Sequence, residues 1–77
     1  MINPHKQFLA VKTPSDEYSV IEVLEMETPE LGDVLSGELE SLGGETLINL
    51  TKEESIDVFI QEIYATKEQA LRLLQAP

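Results

Sequence analysis

Prolines at positions 4, 14 and 29 and glycines at 32, 37, 43 and 44 cut the first 44 residues of this chain into pieces too short for a long helix. What lies between the breaks is apolar and rich in β-branched residues. Residues 7–13 read Gln-Phe-Leu-Ala-Val-Lys-Thr and stop at Pro14, which cannot donate to a sheet ladder. Pro14-Ser15-Asp16-Glu17 is turn chemistry, because proline presets one backbone angle and Ser and Asp bond nearby amides. Residues 18–26, Tyr-Ser-Val-Ile-Glu-Val-Leu-Glu-Met, suit a pleated surface. Residues 28–33 form the second break.

Residues 34–42 alternate: Leu35, Gly37 and Leu39 fall on one side of a strand, Ser36, Glu38 and Glu40 on the other. Gly37 marks a bulge or sharp bend. Gly43-Gly44 turns the chain, and residues 46–51 return as a hairpin partner. Residues 56–64 carry two patterns. Ile56, Val58 and Ile60 alternate as in a strand, while Ile56, Phe59, Ile60 and Ile63 also mark a helix stripe, with Thr51 and Glu54 at capping-box spacing. Three β-branched residues in Ile-Asp-Val-Phe-Ile favour the strand. The last segment is helical: Thr66 and Gln69 have capping-box spacing, and Ala70, Leu71, Leu73 and Leu74 supply the apolar positions before Pro77.

The expected fold is therefore mainly β: a small five-stranded antiparallel barrel or rolled sheet, drawn as a meander, with a short C-terminal helix. The alternative is α+β, with helices at 52–64 and 66–75. Residues 1–5 and 75–77 are expected to be loose ends of a single domain. Residues 35–42, Leu-Ser-Gly-Glu-Leu-Glu-Ser-Leu, resemble the bent strand of the Sm-like fold, and the turn punctuation is similar to that of SH3-like barrels. Gly43 stands where the Sm-like pattern has Asp, and the basic RNA-reading motif of that family is missing, so no RNA-binding residue is carried over.

Charge narrows the partners. Fifteen acids against five bases leave a net charge of −10, which repels phosphate backbones and anionic membranes and attracts basic proteins. No apolar run approaches the roughly 20 residues needed to span a bilayer. With no cysteine and no signal-peptide pattern, a cytoplasmic location is expected. Seventy-seven residues bury a modest core, and without disulfides or thiolate metal sites a homo-oligomer is one way to supplement it.

Catalytic signals are sparse. The single histidine, His5, lies in the expected tail, where a general base is poorly positioned. Glu22, between Val20-Ile21 and Val23-Leu24, is the one carboxyl with apolar neighbours, although an exposed place on a two-faced strand is the commoner explanation and the one expected here. No EF-hand spacing or phosphate loop is present, and Asn49-Leu50-Thr51 matches a glycosylation sequon by chance. No cofactor is expected. Glu38, Glu40, Glu45, Glu53, Glu54 and Asp57 are the candidate acidic interaction patch, because later strands can gather them on one face. The expectation is a non-enzymatic protein-interaction module binding itself or a basic partner. The alternatives are an acidic nucleic-acid mimic and a small enzyme with its site at an oligomer interface.

Overall fold

The computed structural model describes residues 1–3 and 7–75. It is mainly β, a curled antiparallel half-barrel with one short C-terminal helix. Its elements are β1 (Ile2–Asn3), β2 (Phe8–Lys12), β3 (Tyr18–Val23), β4 (Leu35–Ser36), β5 (Gly43–Asn49), β6 (Glu54–Ala65) and α1 (Lys67–Gln75). They form a single sheet in the order β1-β2-β3-β6-β5-β4. The expected meander is replaced by two hairpins, β2–β3 and β5–β6, joined where β3 pairs with β6. That join gives β6, the longest strand, two neighbours and places it at the centre of the sheet.

The strand reading of 56–64 holds and the α+β alternative fails there. Ile56, Val58 and Ile60 are buried while Asp57, Phe59 and Gln61 are exposed, a strict two-residue period. Thr51 does not cap a helix; its Oγ1 accepts a hydrogen bond from the Val34 N–H at 2.9 Å.

Strand alternation sorts the apolar residues into two cores. The inner face carries Leu9, Ile21, Val23, Leu47, Ile56, Val58 and Ile60, joined at its margins by Ile2, Val11, Leu35 and Leu39. The outer face carries Ala10 and Val20, which α1 covers with Ala70 and Leu74. The capping box read from the sequence sets the helix start: Thr66 N–H donates to Gln69 Oε1 at 2.9 Å, and Gln69 N–H donates to Thr66 Oγ1 at 3.1 Å.

Curvature comes from β6. Between Val20 and Ile21 on β3 the partner on β6 jumps from Glu62 to Ile60, and between Tyr18 and Val20 it jumps from Ala65 to Glu62. Each shift adds a residue to β6, and Tyr64 takes a left-handed φ of 55° there. Extra residues on one strand bend it and increase twist, which rolls the sheet.

Two expected segments differ. Met1–Asn3, expected as a loose end, is tied down: Ile2–Asn3 pairs with β2, and the Asn3 side-chain amide donates to the Leu74 carbonyl. Ile2 gains apolar contact there, and the edge of β2 gains partners. His5 lies outside the described residues, as do 76–77. Residues 34–42 give only the two-residue β4, so the bent strand implied by the Sm-like resemblance is absent. At Gly37 (φ +140°) a Cβ would come within 2.7 Å of Leu47 Cδ2, and the chain leaves the sheet there. It crosses to β3, where Leu39 O accepts a hydrogen bond from Ser19 Oγ. Among the described residues, no helix is long and apolar enough to cross a membrane.

Candidate interaction surface

The sheet register sets Glu45 and Asp57, two of the six acids of the expected patch, on opposite faces. On β5, Glu45 shares a face with Leu47 and Asn49, the inner one, and stands opposite Val58. Asp57 lies on the outer face opposite Thr46, whose hydroxyl donates to Asp57 Oδ1 at 2.8 Å. Glu54 begins β6 opposite Asn49, and Glu53 occupies the β5–β6 turn with a left-handed φ of 57°. Glu38 and Glu40 sit in the crossing segment after β4, where Ser15 Oγ donates to Glu40 at 3.2 Å and the Glu40 N–H donates to Glu38. The register therefore places no acid opposite an acid across β5 and β6, which avoids cross-strand repulsion.

Glu22 stands on the outer face in a row that runs Phe8, Glu22, Phe59, Gly44 across four strands. It is half-buried, and its Oε1 accepts from the Gln61 amide at 2.9 Å. That bond ties the carboxylate to β6. No group of three or more His, Cys, Asp or Glu among the described residues is placed to hold a metal ion.

One polar cluster was not visible as a unit in the sequence. Asn49 is 1% exposed at the end of β5. Its Oδ1 accepts from the Thr51 and Lys52 N–H groups at 3.1 and 3.2 Å, and its Nδ2 donates to Asp33 Oδ2 at 2.9 Å. The Asp33 carboxylate also accepts the Glu30 N–H at 3.0 Å and faces Lys52 Nζ at 3.5 Å. The Asn49 amide, then the Glu30 N–H, hold the Asp33 carboxyl below its ordinary value against the opposing effect of desolvation. Glu30, at 2.8 Å, raises the Lys52 ammonium. Burial also closes the sequon, since a side chain at 1% exposure with both polar ends engaged offers no nitrogen to a glycan. The sequence signal for the cluster was Asn and Asp flanking turns, which is common to most loops.

The cluster fixes residues 30–33 as one wall of a seam. The half-barrel does not close: no Cα of β2 lies within 8 Å of a Cα of β4. Between these strands run two adjoining grooves. One, of about 510 Å³, has Met1, Ile2 and Leu9–Lys12 on one side and the wall at 29–35 on the other, and Lys67 also lines it. The other, of about 590 Å³, lies between Lys12–Pro14 and 34–40. Lys12, Val34 and Leu35 belong to both. Lys12 is paired with Asp16 at 2.8 Å, which raises the lysine and lowers the acid. Leu31 and Val34 on the wall are 76% and 56% exposed.

Backbone direction along the seam follows from hydrogen bonds elsewhere. Ala10 exchanges both backbone bonds with Met1, at 2.8 and 3.3 Å, so its groups point away from β3. Alternation along an antiparallel strand makes Lys12 the next residue of β2 pointing that way. On β4, the Leu50 N–H donates to the Val34 carbonyl at 2.8 Å, which puts Val34 and Ser36 toward β5 and turns the Leu35 N–H and C=O into the seam. Met1–Asn3 covers β2 as far as Ala10, so the backbone groups that point into the seam are those of Lys12 on one wall and Leu35 on the other.

No family model matches the chain, and no curated protein or solved structure matches it either.

Proposed function

We propose that this chain is a non-enzymatic protein-interaction module that works in the cytoplasm and takes a basic protein partner. The observation that carries the reading is the seam, where the outward-pointing backbone groups of Lys12 and Leu35 lie beside Leu31 and Val34, large apolar side chains left in water. Soluble chains blunt such edges or cover them, and apolar groups clustered beside one are the anatomy of a contact surface. The charge of −10 selects for a partner of opposite sign and speeds its encounter at low salt. A second copy is the less favoured partner, because each copy brings the same −10. Absence of cysteine accords with a reducing compartment, and the reading calls for no cofactor.

The test is capture from lysate on the immobilised chain, run beside a Leu31→Ser/Val34→Ser variant, with elution by rising salt. A basic protein retained by the parent, lost from the variant and released as salt rises is the expected result. A small substrate turned over saturably, with turnover abolished by changing one carboxylate, overturns it.

A further inference from the structure

We infer that the seam between β2 and β4 receives an extended segment of the basic partner as an additional strand, with apolar residues inward and basic residues toward Glu38 and Glu40. This rests on the interaction-module reading and names the place and the chemistry of the contact. Paired strands lie about 4.8 Å apart, so an opening in which no Cα of one strand comes within 8 Å of the other is too wide for β2 and β4 to bond directly. The backbone groups of Lys12 and Leu35 point into that opening from opposite sides, and none of their bonds in the described structure crosses it.

An inserted strand bonds Lys12 on one side and Leu35 on the other, beyond the stretch of β2 that Met1–Asn3 already covers, and so bridges the open side of the half-barrel. Its inward side chains find Val11, Leu35 and Leu39, all half-buried and packed at the margin of the inner core. Its outward side chains meet different charges along the seam. Lys67 and the Lys52-paired Glu30 and Asp33 stand at one end, and Lys12, paired with Asp16, lines both grooves. Glu38 and Glu40 stand at the other, with no ion-pair partner among the described residues. The occupant's basic residues therefore belong at the Glu38–Glu40 end. A second copy, at −10, fits that end poorly.

The experiment uses the full chain and two synthetic peptides of about eight residues, near the usual length of a strand. One alternates valine with arginine; the other alternates valine with glutamate. Binding is followed by amide hydrogen exchange. The expected result is that the arginine peptide alone binds and slows exchange at the Lys12 and Leu35 amides about tenfold or more. A Glu38→Gln/Glu40→Gln variant is expected to bind it about threefold more weakly, the scale of exposed charge pairs. Equal binding of both peptides, or no binding of either, overturns the inference. Protection at Ile48 and Phe59 in place of Lys12 and Leu35 also overturns it, while leaving the interaction-module reading standing. Slow exchange at the seam that appears with protein concentration and no peptide gives the seam to a second copy and overturns it too.

Discussion

Gly37 and Asn49 show how single residues shape this molecule. At Gly37 the chain must adopt φ +140° while passing over Leu47, and a methyl group would sit 2.7 Å from Leu47 Cδ2. Gly37→Ala is expected to lower stability by about 1–3 kcal/mol, from backbone strain plus the clash. Chemical denaturation of Gly37→Ala, of Leu47→Ala and of the double variant separates the two sources. The alanine at 37 should cost less when Leu47 has already been shortened, a positive coupling between neighbours. Asn49→Ala removes three side-chain bonds at a site that is 1% exposed, and a loss of about 2 kcal/mol or more is expected in the same measurement, from backbone donors and a carboxylate left without their partner. The special conformation of Gly37 was legible in the sequence, because a glycine inside an alternating run commonly marks a bulge or a tight bend. Asn49 was not, since its partners Asp33 and Lys52 are assembled by tertiary structure and nothing local distinguishes it from any turn asparagine.

Elements were legible where a local signal coincided with burial. The helix start at Thr66 and Gln69 is one such case, and Thr66→Ala is expected to cost about 1 kcal/mol and to free the first-turn amides to exchange. Leu74→Ala tests the other half of the helix, its docking on Val20 and Ala10. A loss of about 2–4 kcal/mol is expected by thermal unfolding, since Leu74 is 4% exposed. The alternation of Ile56, Val58 and Ile60 outweighed the competing helix stripe because a strand buries those three together on one face. The shortness of β4 was hidden, because Leu35, Leu39 and their polar neighbours alternate just as a full strand does. After Gly37 the chain leaves the sheet and meets Ser19, twenty residues from Leu39, and alternation carries no information about that contact. The pairing of β3 with β6 was hidden for the same reason. So was the placing of Glu45 and Asp57 on opposite faces, which depends on which residues oppose them across β5 and β6; a one-residue change of register moves a whole set to the other side.

At the scale of the whole molecule, the acidic surface and the Asp33 cluster pull stability in opposite directions as pH falls, and this yields a prediction with a definite shape. A charge of −10 on 77 residues makes the folded chain repel itself. Raising salt from about 20 mM to about 500 mM at neutral pH shortens the screening length severalfold and should raise Tm. Mild acidification relieves the same repulsion, so stability should first rise as pH drops from about 7. Asp33 then sets the limit. Its folded carboxyl is held below the ordinary value by Asn49 and the Glu30 N–H, so its contribution is fully present above the unfolded value of about 3.9 and is lost as pH falls through the folded one. Asp16 is lowered as well, but at 82% side-chain exposure its pair with Lys12 is screened and adds little. A plot of Tm against pH should therefore pass through a maximum on the acid side of neutrality and fall steeply below about pH 4. Asp33→Asn should lower Tm at neutral pH and flatten the acid limb, while leaving the rise with salt intact. An acid limb unchanged in Asp33→Asn would transfer the sensitivity to other carboxylates, and with it the claim that this cluster holds the wall of the seam in place.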